Sequence, residues 1–509
     1  MHDVIVVGAG PVGLWTAAEL KQQGVDVVVV DRASQRDPRS RAVGMSAGTV
    51  ETFATRGIAE RFITAGIPIA SSHFGASSTR LRLDVLGIRH LHSLCIPQAV
   101  TETLLEDYCS TLGVPVWHGH EVTGLDHTDH GVVVHLADST KLHAQWVVGA
   151  DGTKSVVRTA AGIAFPGRDG THTGWLADVH VQREPQGPLG GVSAAGSVLM
   201  QAIGDGLYRL AGVDTATMHL PPEQPPSLEQ VRRWAIDTFG DDYGMHSPLW
   251  ISRYGNATRL ADSFRQGRVL LAGDAAHQFF PAGGQGMNTG IQDGTNLAWK
   301  LAATIHGNAP DGLLDTYSDE RRIAASAIIH NTDAQLALFA ARTPAEAALR
   351  TVFSEALAHP DINATWARRI TGFADPVPAG QRYDQHPSLG SRVTHLILND
   401  DPDALHTQMT PGRFLLIDFN GDSGVASEDF LLHHPQVDLY TGPCRTTDRK
   451  WEGTSAVLLR PDARIAWVGE KHSTPGDLRR SLVAALSMWT LNPTATASAE
   501  SQVREGADV

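Results

Sequence analysis

Three short glycine-rich segments carry the residues best suited to chemistry, and each sits at the end of an apolar run. Gly8-Ala9-Gly10-Pro11-Val12-Gly13 follows the run 4–7 and precedes a stretch of helical composition, 14–23. In that setting Gly8 permits a tight turn, Gly10 lets backbone approach a pyrophosphate, and Gly13 lets the helix pack on the strand. The helix N-terminus, with Pro11 and Val12 in its first turn, offers free N–H groups and a positive dipole end to phosphates. Asp31 closes the next apolar run, 25–30, where it can accept hydrogen bonds from ribose hydroxyls, with Arg32 beside it. These residues predict a dinucleotide site and leave NAD or FAD open.

The second segment is Gly149-Ala150-Asp151-Gly152, which runs into Ser155-Val156-Val157-Arg158. The third is Gly273-Asp274-Ala275-Ala276-His277, followed by Pro281-Ala282-Gly283-Gly284-Gln285-Gly286-Met287-Asn288. Asp274 ends a strand-like run, so its carboxylate can take a ribitol hydroxyl. The stretch from Gly283 through Gly284, Gly286, Met287 and Asn288 brings bare backbone N–H groups to the start of a helix. Such a terminus stabilises negative charge on a reduced flavin. A glycine-rich loop with no ligand is the plain alternative.

The elements that must position these residues begin as strand, turn, helix, strand, which implies a parallel sheet covered by helices. Runs 145–148 and 268–272 add strands to it, each leading into a Gly/Asp pair. Between about 170 and 260 the pattern changes to short alternating strands with turns such as Gly204-Asp205-Gly206, predicting an inserted antiparallel sheet. Residues 81–94 alternate similarly and are expected to join it. From 290 to about 357 the chain reads as helical, and Thr343-Pro344-Ala345-Glu346 marks one helix start. Residues 375–380 read as a linker. Strands at 414–419, 437–440, 456–460 and 465–468 and a helix at 477–489 then form a small α/β unit.

Composition removes other classes. The 509 residues hold 41 Lys and Arg against 55 Asp and Glu, a net charge of −14. That balance disfavours nucleic acid and anionic membranes as partners. Cys95, Cys109 and Cys444 form no disulfide framework, so a reducing cytoplasm is expected. Neither a basic-led signal nor a membrane-length apolar run is present. His90, His92, His433 and His434 lack Asp, Glu or Cys partners at ligand spacing, so no metal is expected. The absence of Cys-x-x-Cys excludes a flavin disulfide reductase, and no Gly-x-Ser-x-Gly elbow occurs. No second Gly-x-Gly-x-x-Gly follows a strand, so no separate NADPH domain is expected.

Together the three segments resemble the FAD-dependent aromatic hydroxylases built like para-hydroxybenzoate hydroxylase, over about residues 1–330. Tyr254-Gly255-Asn256-Ala257-Thr258-Arg259 and the segment from Phe280 to Thr289 are most similar to the angucycline-type polyketide hydroxylases. The C-terminal unit resembles the thioredoxin-like domain of that branch, without Cys-x-x-Cys because Cys444 stands alone.

The resemblance implies an α/β fold with three parts. A Rossmann-like FAD-binding domain of the glutathione-reductase type would take residues 1–72, 98–170 and 261–380. An inserted antiparallel-sheet substrate domain would take 73–97 and 171–260, and a thioredoxin-like domain 385–509. It also implies noncovalent, tightly bound FAD and NADPH as a transient cosubstrate. Reduced FAD would take up O2, and the flavin C4a-hydroperoxide would hydroxylate an aromatic polyketide in antibiotic biosynthesis, with a homodimer left open.

By the same resemblance Arg41 lies near the flavin and the nicotinamide route, Gln98 contacts the ribityl or phosphate region, and Val122 sits beside adenine. The Pro281 carbonyl helps hold the flavin, while Asp151 and Arg158 hold the fold and the NADPH path. Phe74, Trp175, Met200 and Tyr208 are expected in the substrate wall, and no residue is singled out as a general base. The chain departs from its branch at Gln278-Phe279-Phe280 and at Ile323, which leaves the substrate open. Rifampicin-type antibiotic inactivation and Baeyer–Villiger or epoxidising oxygenation remain rivals on the same scaffold. A non-catalytic FAD-fold binding protein is the rival of another class.

Overall fold

Valine-rich runs suit strands covered on both faces, because branched side chains pack well on a pleated surface. In a computed structural model, which describes residues 1–186, 189–341, 343–374, 386–421, 423–425, 428–446 and 448–491, they lie at the centre of an eight-stranded sheet. The order across it is Arg265–Gln266, Val269–Leu271, Lys141–Gly149, His2–Val7, Val27–Val30, Val116–Trp117. The last five run parallel. Strands Val122–Thr128 and Gly131–Leu136 form an antiparallel meander onto Lys141–Gly149.

This order has a direct consequence for the site. The carboxyl ends of four adjacent strands lead into Asp274, Asp151, Gly8 and Asp31, in that sequence along one edge. At the usual strand separation the outer two strands lie about 14 Å apart. Ligands of open parallel sheets bind outside such an edge.

Helices Pro11–Gln22 and Gln285–Ile305 pack side by side against the sheet. Their approach depends on missing side chains: a Cβ on Gly290 would sit 2.4 Å from Val12, and one on Gly294 2.4 Å from Thr16. Trp15 Nε1 donates to Thr295 Oγ1 at 2.8 Å and links the pair.

Between Thr173 and Gly255 lies a five-stranded antiparallel sheet, ordered Leu189–Ser193, Gly196–Gly204, Leu207–Asp214, Thr173–His180, His246–Gly255. Helix Leu228–Phe239 covers one face, opened by a reciprocal Ser227–Gln230 cap and closed at Gly240 with φ 81°. Residues 73–97 do not join this sheet as expected. Ser93–Cys95 pairs with Gly44–Met45 and Ile67–Ile69, and Leu81–Arg82 pairs with Ser71–Ser72. Leu81, Leu83 and Leu86 turn instead into an apolar cluster with Leu338, Leu357 and Ile370.

Helices Asp315–Phe339, Pro344–Ala356 and Pro360–Thr371 follow. The second starts at the expected box, with Thr343 Oγ1 accepting from Glu346 N and the Glu346 carboxylate accepting from Thr343 N. The expected linker at 375–380 lies outside the described residues.

The C-terminal sheet is ordered Val437–Gly442, Phe414–Phe419, Thr454–Leu459, Ile465–Glu470, the first pair parallel and the others antiparallel. Helix Pro475–Leu486 packs on it. A buried ionic joint ties it to the preceding helices: Arg460 donates to both Glu320 oxygens at 2.9 Å, and Lys300 Nζ lies 3.2 Å from Glu320. Asn296 donates to Glu320 and to Asp462 at 2.8 and 3.1 Å. Trp299 from helix Gln285–Ile305 packs among Phe414 and Trp489. No described helix is long and apolar enough to cross a membrane.

Candidate active site

The glycine turn is shaped by contacts that admit no side chain. Gly8 has φ 111°, and a Cβ there would meet Ala150 O at 2.4 Å. A Cβ on Gly10 would meet nothing within 4 Å, so backbone is bare to the outside. No side chain caps helix Pro11–Gln22. Asp31 accepts from Ala9 N and Ala33 N, both at 2.7 Å, which fixes its carboxylate against the turn. Each oxygen keeps a lone pair for a hydroxyl donor. Arg32 is exposed beside it. His120 N donates to Asp31 O at 2.7 Å, which brings Val122 near, although the Val122 side chain is buried.

A second turn is held from beneath. Gly273 has φ 63°, and its N–H donates to Asp293 Oδ2 at 3.0 Å. Asp293 also meets His277 Nε2 at 2.7 Å and accepts from Arg321 Nε at 2.7 Å. All three side chains are buried, so the turn rests on an enclosed network around the Asp293 carboxylate. Asp274 projects from it without a hydrogen-bond partner among the described residues, its carboxylate uncovered in a recess of the fold. That enclosure raises its carboxyl above the usual range against the pull of His277 and Arg41. A lone acceptor so placed fits a ligand hydroxyl.

Asp151 is a capping residue: it accepts from Ser155 Oγ at 2.6 Å and from Val156 N at 2.7 Å. Arg158 lies over Phe165 and donates to Ala275 O at 2.9 Å, binding the segment after Asp151 to the Gly273 turn. Both act on the fold.

The loop before helix Gln285–Ile305 turns through Gly283 and Gly284, with φ 70° and 65°, and no side chain caps the helix. Gly286 faces Asp274, its Cβ direction ending 3.9 Å from Asp274 Oδ1. Met287 packs half-buried on the main core. Two of the expected residues also make contacts within the protein. The Pro281 carbonyl accepts from Gly284 N at 3.2 Å. Asn288 accepts from Ser46 N and Thr49 Oγ1 and donates to Gly44 O and Gly284 O, so its side chain fastens the loop.

Two uncapped helix starts, one free carboxylate and one carboxylate held against the first turn therefore share an edge, an arrangement that fits FAD. Residues 1–332 match the family described as FAD binding domain, and residues 386–493 match aromatic-ring hydroxylase, C-terminal. The chain belongs to the FAD-dependent aromatic-ring hydroxylases. It is 37% identical over 476 residues to a rifampicin monooxygenase of Streptomyces venezuelae, covering 92% of this chain and 96% of that one. The solved OxyS anhydrotetracycline hydroxylase from Streptomyces rimosus is 34% identical, with TM-score 0.83 over 96% of this chain and 99% of that one. CabE, an aromatic hydroxylase from angucycline biosynthesis, is 34% identical, with TM-score 0.81 and the same coverage.

In this hydroxylase the expected wall residues lie elsewhere. Trp175, Met200 and Tyr208 alternate onto the face covered by helix Leu228–Phe239, where Trp175 stacks on Trp234 at 4.7 Å. Phe74 is buried between Phe353 and Trp366. The opposite sheet face carries residues that the sequence did not single out. Arg209 pairs with Asp178 and donates to Ser40 O at 2.5 Å and Arg41 O at 3.1 Å. Gln98 supports the same loop, accepting from Ala42 N at 3.2 Å, while the Arg41 side chain is exposed.

His90 also has partners, contrary to expectation, because distant segments fold onto it. Its Nδ1 lies 2.8 Å from Glu51, whose other oxygen lies 2.9 Å from His406 Nε2. Burial pushes the Glu51 carboxyl up, but hydrogen bonds from His406 and His90 outweigh it and hold it at about 2.

Proposed function

We propose that this hydroxylase is a single-component monooxygenase that uses NADPH and O2 to hydroxylate an aromatic polyketide. The observation that carries the reading is the uncovered, unpartnered Asp274 carboxylate beside the uncapped start of helix Gln285–Ile305. Bound FAD supplies the redox chemistry and the activation of O2. The chain's own groups hold and polarise it. Asp274 takes a ribitol hydroxyl, Asp31 takes the ribose, and the start of helix Pro11–Gln22 takes the phosphates. The amides after Gly284 receive negative charge at the flavin's pyrimidine edge.

The Arg209 face of the inserted sheet is the substrate wall in this reading, in place of the helix-covered face. Leu199, Val213 and Tyr254 form an apolar cluster there with Phe280, which keeps water from the reacting edge. Arg41 receives NADPH. The parallel first pair and the antiparallel later pairs of the C-terminal sheet support a thioredoxin-like reading of that unit, which serves packing, since Cys444 has no partner cysteine. The free cysteines support a cytoplasmic setting.

The test is direct. Purified protein carries flavin, consumes NADPH faster with an aromatic polyketide present, and yields a product one oxygen atom heavier. Flavin-loaded protein that oxidises NADPH but leaves a broad polyketide panel unchanged would count against the reading.

A further inference from the structure

A cleft of about 580 Å³ opens between strand Leu189–Ser193, residues 73–80 and helix Pro344–Ala356. That volume is in the range of small-molecule sites. Its inner end adjoins the flavin loop. Ala76 and Leu199 line the cleft and also belong to the apolar cluster around Phe280 and Ala282. Gly75 N donates to Gln335 Oε1 at 3.5 Å, and Gln335 lies 3.4 Å from where a Cβ of Gly283 would be. One layer of side chains therefore separates the cleft from the loop assigned to the isoalloxazine.

The polar lining is unbalanced. Arg80 and Arg350 both face the cleft, and neither has a carboxylate partner among the described residues, although Glu355 lines the same space. Arg80 donates to Ser71 Oγ at 3.3 Å and Ser71 O at 3.5 Å, and Arg350 to Leu338 O at 3.0 Å. These are neutral acceptors that leave both charges uncompensated. Partial burial, with no anionic partner to oppose it, lowers the pKa of each guanidinium. His73 stands between them and the apolar end, edge-on to Phe339 at 5.6 Å. Burial, and less strongly the Arg80 charge, pushes its imidazole down to about 4, so it is neutral at neutral pH. Its Nδ1 is buried with no hydrogen-bond partner among the described residues.

We propose that this cleft seats the distal end of the substrate, and that the substrate is a polycyclic phenol bearing an anionic oxygen group there, of the carboxylate kind. Arg80 and Arg350 take the anion, supplying the countercharge they lack, beside the neutral His73 ring that lines the same cleft. The assignment rests on the monooxygenase reading and adds the substrate's charge to it.

The test compares 1-hydroxy-2-naphthoate with its methyl ester on the flavin-loaded enzyme, reading the dissociation constant from the change in flavin absorbance. The acid is expected to bind about tenfold tighter than the ester. In R80Q, in R350Q and above all in the double variant that preference should shrink towards unity, with flavin content reporting that each variant is folded. Equal binding of acid and ester, no binding of either, or a preference that survives in both folded single variants overturns the proposal. Binding is read without turnover, so an acid that binds selectively but is never oxygenated would count against the monooxygenase reading and leave the cleft assignment standing.

Discussion

The Arg209 guanidinium donates to the backbone carbonyl of Arg41 at 3.1 Å, so the inserted sheet grips the very peptide that presents an exposed arginine beside Asp274. Asp178, directly opposite Arg209 in strand register, holds the guanidinium in that pose. Arg209→Met would leave the Asp178 charge buried and unpaired and should cost about 3–5 kcal/mol. Thermal melting measures that loss. Asp178→Asn combined with Arg209→Met should recover part of it. Arg209→Lys keeps the charge but loses the fork, so it should fold while raising KM for NADPH about tenfold.

Asp274→Ala removes the unpartnered acceptor assigned to the ribitol. A hydrogen bond to a charged group contributes about 1.5–3 kcal/mol, so flavin affinity should fall about tenfold or more. Flavin content per chain after gel filtration is the readout. Full retention with unchanged turnover would remove Asp274 from the site.

Glu51 gives a pH signature. Its folded carboxyl is held at about 2 against an ordinary value of 4.5, so its contribution to stability is complete above about 4.5. It is lost as pH falls from there towards 2. Wild-type melting temperature should therefore drop through that window more steeply than that of Glu51→Gln. Parallel slopes for the two proteins would show that the His90–Glu51–His406 contact contributes nothing there.

Cys444 is half-buried, its thiol directed at Gly442 O at 3.6 Å and pushed up to about 12 by burial. A protonated thiol with no partner cysteine does no exchange chemistry. Cys444→Ser should keep NADPH oxidation and hydroxylation within about twofold of wild type. Loss of hydroxylation in folded, flavin-loaded variant would assign the C-terminal unit a chemical role.

The parts of this molecule that could be read from its sequence are local ones. The turn at Gly8–Gly13 and the pair Gly273-Asp274 announce themselves because their geometry is encoded within a few residues. His277 stands in the third segment, but Asp293 and Arg321 lie on two separate helices and resemble any polar helix face, so nothing marked the three as one support. The wall residues failed for a different reason. Alternation along the strand at 173–180 shows two faces, but large apolar side chains mark the one a helix covers. Helix Leu228–Phe239, amphipathic and between strands, was the available clue to that cover. Asp178 and Arg209, charged residues within apolar strands, marked the other face. Asn288 lies in the glycine loop, yet its side chain is spent on residues 44–49 of another segment and on Gly284.

The joint around Glu320 bears on how such enzymes can be recombined. Lys300, Asn296 and Glu320 come from the helical half and Arg460 and Asp462 from the last unit, and all of them are buried away from water. A chimera that grafts another relative's tail onto this body would strand ions of one bank unless the other bank travels with it. The tail is thus no interchangeable cassette: its transplantable boundary runs through residues on both sides of the seam.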